Sequence, residues 1–210
     1  MQSALRAPVR SDRRLFLKQS GGLAAGVAGS AVLSLAERRR ATDLLRPPGV
    51  VDESRFVERC LRCLQCVRSC PNQIIKITGP DRGFASLFTP HIEFGQYGCD
   101  YFCQVCQTVC PNFAIPLQSL QEKQKTPIGK ATIDENHCVV FAKDTNCLVC
   151  EEVCPVPGKA ISIREQTVVR ESGPILLRYP VMEPTRCIGC GICQVGCPST
   201  PIAITVHADR

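Results

Sequence analysis

Past residue 50 the apolar positions come in short bursts broken by polar punctuation. Ile74-Ile-Lys-Ile-Thr78 is a β-branched run closed by Gly79-Pro80, which predicts a strand and then a turn. Gly129-Lys-Ala-Thr-Ile133 and the terminal Ile202-Ala-Ile-Thr-Val206 also read as strands, and Phe113-Ala-Ile115 as a shorter one. Lys159-Ala-Ile-Ser-Ile163 and Thr167-Val-Val-Arg170 alternate apolar and polar, which predicts a hairpin joining the two. Ser54–Arg59 predicts a short helix with Phe56 and Val57 turned inward. Residues 37–54, with Pro47-Pro48, read as a linker, and Gln118–Lys130 as a solvated connection. The insertion Gly83–Gly98 holds Phe84, Phe88, His91, Phe94 and Tyr97, to pack among themselves, cover a site or meet a partner. The expected class is α+β, loop-rich, with short antiparallel strands.

The cysteines change that picture from a thin fold to a scaffold. The clearest run is Cys187, Cys190, Cys193 and Cys197-Pro198, with gaps of two, two and three residues. Cys60, Cys63, Cys66 and Cys70-Pro71 repeat it. Two looser runs lie between: Cys99, Cys103, Cys106, Cys110-Pro111, with one extra residue in its first gap, and Cys138, Cys147, Cys150, Cys154-Pro155, whose first gap is Val139–Asn146. Together they use all 16 cysteines. This is the ligand run of a bacterial [4Fe–4S] ferredoxin four times over, in which three thiolates wrap one cubane and the cysteine before proline serves its neighbour. Proline there, with its fixed φ and missing N–H, turns the chain out of the cluster loop. Four [4Fe–4S] clusters are therefore expected, held by all sixteen thiolates.

Disulfides and zinc explain less. A disulfide framework has no use for four runs that all end in Cys-Pro. Zinc takes paired Cys-x-x-Cys knuckles, so the third cysteine and the Cys-Pro ending would be superfluous. Because the outer runs are regular and the inner ones carry insertions, the repeats imply two dicluster units, one nested inside the other. The outer unit would be 55–80 with 178–210, and the inner unit 93–170.

Composition supports dependence on metal. The 210 residues contain no tryptophan and 5% aromatic residues, so an ordinary apolar core would be thin and the clusters must replace much of it. Asp12-Arg13-Arg14-Leu15-Phe16-Leu17-Lys18 resembles a twin-arginine export motif, and a glycine- and alanine-rich stretch to Ala36 follows it. Residues 1–36 thus read as a signal peptide with a small-residue cleavage site at Ser34-Leu35-Ala36, and an uncleaved leader would serve as an anchor. Such a route carries folded proteins, consistent with clusters built before export. The formal charge of +6 misleads, because removing the leader leaves 20 basic against 18 acidic side chains. Each oxidised cluster with its thiolates carries about −2, which takes the loaded protein to about −6. No nucleic-acid partner is expected. His91, His137 and His207 stand alone in the sequence, and no phosphate loop, flavin site or nucleophile arrangement is present, so the expectation is an electron carrier rather than an enzyme.

From Arg59 onward the chain resembles the NapG/MauM family of ferredoxin-type proteins, on the four cysteine runs and on Gly129-Lys-Ala-Thr-Ile-Asp-Glu-Asn-His-Cys138. The resemblance implies a periplasmic, twin-arginine-exported protein that relays electrons between a membrane quinol-oxidising dehydrogenase or polyferredoxin partner and a periplasmic reductase. It also implies nested ligand sets: Cys60, Cys63, Cys66 with Cys197; Cys187, Cys190, Cys193 with Cys70; Cys99, Cys103, Cys106 with Cys154; and Cys138, Cys147, Cys150 with Cys110. Two alternatives remain open on the residues alone, an electron-transfer subunit of a molybdopterin oxidoreductase and a maturation factor for a periplasmic redox enzyme.

Overall fold

The computed structural model describes residues 44–171 and 173–208. The signal peptide expected at 1–36, and with it the export motif, lies outside the described residues.

The N-terminal segment was expected to be linker, yet residues 44–50 are packed. Leu44 and Val50 are buried, and Ile92 donates its N–H to the Leu45 carbonyl at 2.7 Å. Arg46 is fully buried. Its guanidinium pairs with Glu53, donates to Thr89 Oγ1 at 3.0 Å and to the Pro90 carbonyl, and lies 4.8 Å over the Phe56 ring. A charge so buried persists because every face of it meets a carboxylate, an acceptor or a π-system.

Helix α1, Glu53–Arg59, starts where Asp52 accepts from the N–H groups of Ser54 and Arg55 at 2.9 and 3.2 Å, and it buries Phe56 as expected. The first cysteine run follows, with α2 at Gln65–Ser69. Strands β1, Ile75–Ile77, and β2, Pro90–Ile92, then pair antiparallel with Ile75 opposite Ile92. The insertion therefore supplies the second strand of a hairpin, and it leaves Phe84, Phe88 and Tyr97 exposed. Helix α3, Val105–Thr108, sits in the second run. Phe113–Ile115 is not a strand: Phe113 takes a φ of 51° and is exposed, while Ala114 and Ile115 pack with Val50, Phe56, Ile74 and Ile92.

The stretch read as a solvated connection is also structured. Ser119 and Glu122 form a reciprocal capping box on α4, Leu120–Lys123, and both Lys123 and Ile128 are buried. Strand β3, Lys130–Ile133, leads to α5, Val139–Lys143, which fills the long first gap of the third run, and then to α6, Val149–Glu152. The hairpin expected within 159–170 is one uninterrupted strand instead, β4, Ile161–Arg170, because Glu165-Gln166 offers no turn chemistry. The chain reverses between Arg170 and Gly173, and β5, Gly173–Met182, runs back along it. Gly173 has a φ of +110°, which a side chain would resist. Helix α7, Ile192–Gly196, lies in the fourth run, and β6, Ile204–His207, closes on β3 with Ala131 opposite Val206.

The order is run, hairpin, run in each half. The β3–β6 ladder brackets the third and fourth runs, and α6 packs on α7 as α2 packs on α3. The units are therefore tandem. The nested division, 55–80 with 178–210 around 93–170, would bring the regular outer runs together, whereas here they lie in different halves.

Candidate iron–sulfur centres

The thiols gather in four groups. Cys60, Cys63, Cys66 and Cys110 line one cavity, together with Phe56, Ala114 and Ile115, whose empty space is about 370 Å³ including its mouth. Cys70, Cys99, Cys103 and Cys106 line a second of about 380 Å³, and Cys154, Cys187, Cys190 and Cys193 a third of about 330 Å³. Cys138, Cys147 and Cys197 pack around Val140 and Ala203, and Cys150 lies within the electrostatic reach of Cys147 and Cys138.

These groups differ from the nested sets. Cys197 sits with the third run and not with Cys60, while Cys70 sits with the second run and not with Cys187. Cys154 and Cys110 likewise sit with the fourth and the first runs. The cause is local: the cysteine before proline leaves its loop toward the run that its own helix packs against, α3 for α2 and α7 for α6. The insertions that marked the inner runs as alike only lengthen their loops. One becomes α5, and the other is the Asp100–Phe102 turn.

The arrangement fits a polynuclear centre. Among the described residues no three His, Cys, Asp or Glu side chains stand close enough to hold one metal ion, which is what tetrahedral zinc would need. All sixteen thiols are unbridged, and twelve of them line the three cavities. Burial pushes the Cys66, Cys150 and Cys190 thiols up to about 11 and those of Cys99, Cys106 and Cys193 up to about 12, with neighbouring thiols adding to the rise. So many buried thiols would become thiolates only against strong positive charge, which bound iron would supply. Cys197 goes the other way. Burial raises it, but hydrogen bonding from the Ser199, Ala203 and Ile204 backbone outweighs that and holds it below 9.0.

Several residues at these centres carried no cysteine signal. Ile115 and Ala160 donate backbone N–H groups to Cys110 and Cys154 Sγ at 3.5 and 3.4 Å, and Ala131 and Gly189 do the same for Cys187 at 3.5 and 3.4 Å. Such bonds favour the electron-rich state of a ligated sulfur. Lys123, 2% exposed, donates from Nζ to the carbonyls of Asp100 and Tyr101, beside Cys99, whose thiolate it favours. The Ser119-x-x-Glu122 box was the available signal for the helix that delivers it. Between the halves, Cys99 donates its N–H to the Cys190 carbonyl at 2.7 Å. Gly98 permits this approach, since a Cβ there would lie 2.7 Å from Ile192 and 2.8 Å from that carbonyl oxygen. The histidines line none of the three cavities. His91 faces Thr78 Oγ1 at 3.2 Å and His137 meets Asp134 at 2.8 Å.

Tandem groups of four thiols define a ferredoxin-type iron–sulfur protein that carries electrons. A family model described as a 4Fe-4S dicluster domain matches residues 59–114 and again 145–200, and Cys138 falls just outside the second match. The methylamine utilization ferredoxin-type protein MauM of Methylobacillus flagellatus is 33% identical over 210 residues, covering 94% of this chain and 84% of that one. The ferredoxin-type protein NapG of Escherichia coli K12 is 31% identical over 207 residues, covering 95% and 87%. MauM of Methylorubrum extorquens is 30% identical over 206 residues, covering 95% and 91%. The chain belongs to the family of MauM and NapG ferredoxin-type proteins.

Proposed function

We propose that this chain relays single electrons in the periplasm through four [4Fe–4S] clusters, between a membrane-bound quinol-oxidising partner and a periplasmic oxidoreductase. The ligand sets would be Cys60, Cys63, Cys66, Cys110; Cys70, Cys99, Cys103, Cys106; Cys154, Cys187, Cys190, Cys193; and Cys138, Cys147, Cys150, Cys197. A bound cluster of this kind takes up and gives back one electron, over a range of potentials of about −700 to +450 mV. The protein's part is to hold the thiolates, exclude water from the buried sulfurs and aim N–H dipoles at them.

The observation that carries the reading is the bond from Cys99 N–H to the Cys190 carbonyl. It joins the second group to the third cavity's group, and since Cys106 lies within electrostatic reach of Cys66 and Cys193 of Cys150, the four groups would follow one another in a row with the Cys60 and Cys138 groups at its ends. Export to the periplasm rests on Arg13-Arg14 and the apolar stretch behind them. The test is composition and place together. Anaerobically purified protein should hold about sixteen iron and sixteen sulfide per chain, four of each per cubane. Replacing Arg13 and Arg14 with lysine should leave loaded protein in the cytoplasm, because lysine lacks the guanidinium fork a receptor reads. Stoichiometric zinc or half the iron would defeat the four-cluster reading, and normal export of the double-lysine form would defeat the leader.

A further inference from the structure

The two ends of the row differ in what they show to solvent. Cys63 alone among the sixteen cysteines is exposed, whereas the Cys138 end has Cys138 and Cys150 buried and Cys147 and Cys197 half-buried. The cavity around Cys63 is lined by Arg59, Leu61, Arg62 and Asn112 and by no acidic residue. Leu61 is 64% exposed and Phe113, next to Asn112 in the chain, is 58% exposed. Arg62 reaches across to the carbonyls of Ala85 and Leu87 at 3.3 and 2.9 Å, so it ties down the loop that carries exposed Phe84 and Phe88.

The stretch of chain that supplies this cavity is basic, and most of its arginines meet no acid. Arg55, Arg59 and Arg68 are exposed, and among the described residues their guanidinium groups meet no carboxylate. Elsewhere Arg82, Arg170 and Arg178 each pair with an acid. From Ser54 to Asn72 the chain carries four arginines and one acid, Glu58, although the mature protein as a whole is nearly balanced. The unpaired Arg59 and the carbonyl-bound Arg62 beside an apolar centre and an exposed thiol make a docking face with a defined complement.

We propose that the face formed by Cys63, Leu61, Phe113 and Arg59 is where an acidic redox protein docks, its carboxylates on the arginines and its one-electron centre against Cys63. This rests on the cluster reading above. One electron crosses: the partner's centre loses what the Cys63 group gains, or the reverse, and no bond or proton moves. A redox protein fits better than an anionic membrane because the face centres on an exposed thiol ligand, which a lipid surface has no use for.

The test uses the full loaded chain and, as probe, a small acidic plant-type [2Fe–2S] ferredoxin, with binding followed by NMR line broadening and by titration at low and high salt. Binding should broaden signals near Leu61 and Phe113, weaken at least tenfold in 0.5 M salt, and weaken about tenfold in Arg59→Glu. Arg178→Glu, on the distant hairpin, should bind as the parent does. Arg59 makes no side-chain bond, so its reversal should leave the fold intact; iron content and EPR of each variant confirm that. A variant that keeps its iron but binds unchanged overturns the docking face while sparing the clusters, whereas a parent lacking iron at the Cys63 group overturns the cluster reading instead. Arg59-dependent binding to phosphatidylglycerol vesicles with none to the acidic protein, or broadening centred elsewhere, also overturns the proposal.

Discussion

Lys123 offers a direct electrostatic test of the site, through Lys123→Met. Its ammonium lies 3.0 Å from the Tyr101 carbonyl, and Asp100 and Tyr101 directly follow Cys99. With a Cα step of about 3.8 Å, that places the charge on the order of 8 Å from the centre that Cys99 would ligate. At an effective dielectric of about 20, a unit charge at that range is worth roughly 2 kcal/mol. For one electron this converts to about 90 mV, at about 59 mV per tenfold. The reduced centre is the more negative one, so the ammonium favours reduction and its loss lowers the potential. Methionine keeps the length of the side chain, but two carbonyls lose their donor, which costs about 1–3 kcal/mol of stability. Potentiometric titration followed by EPR should show one centre falling by about that amount, its neighbours by less, and Lys123→Arg close to the parent. A shift under about 20 mV with full iron content, or an equal shift in the arginine form, would refute the electrostatic role.

Three further outcomes are expected. Cys197→Ala and Cys138→Ala should each lose about one cluster's iron, and together lose no more, while Cys197→Ala with Cys60→Ala should lose two; full additivity of the first pair would contradict the tandem sets. Gly98→Ala should cost about 1–3 kcal/mol in denaturant and weaken the magnetic interaction across the Cys99–Cys190 junction; an unaltered midpoint and spectrum would show that the approach is not tight. Burial, aided by Arg46 and Arg82 and opposed by Glu93, holds His91 below its usual 6.5. The unfolded chain therefore takes up that proton first, so stability is full above pH 6.5 and declines as pH falls through the folded value. His91→Asn should flatten that decline between pH 7 and 5.5, as read from denaturant midpoints, and an identical slope would discount the histidine.

What was legible in the chain was whatever repeats or alternates. The cysteine runs announced a cluster protein. Runs of β-branched residues marked β1, β3 and β6 to within two residues, because strand propensity and burial agree there. The pairing of the runs was not legible. It depends on which helices pack, and the regular spacing of Cys60–Cys70 and Cys187–Cys197 carries no information about that. Arg46 and Lys123 fall in stretches whose polar sequence reads as linker and solvated connection, because burial of a cation depends on distant partners. Glu53, Thr89 and Pro90 hold the first, and the Asp100 and Tyr101 carbonyls hold the second. The hairpin was misplaced for a related reason: alternation tells which residues face inward, not where a long ribbon turns.

The tandem order bears on how the protein comes to exist. Every thiol of the first half lies between residues 60 and 110, so each of its groups closes a loop within about fifty residues. Nested sets would have required closure from Cys60 to Cys197, at a greater entropic cost, and the first half could not have been completed before the last. As arranged, a ribosome that has released residues up to about 128 has delivered a full complement of ligands and core for the first half, Val50 to Ile128 included. The second half must wait, because β6, the partner of β3, lies about seventy residues downstream of it. With the ligand sets proposed here, assembly would be directional, with metal able to enter one half while the other is still being translated. A chain cut short before Ile204 would fail in its second half alone.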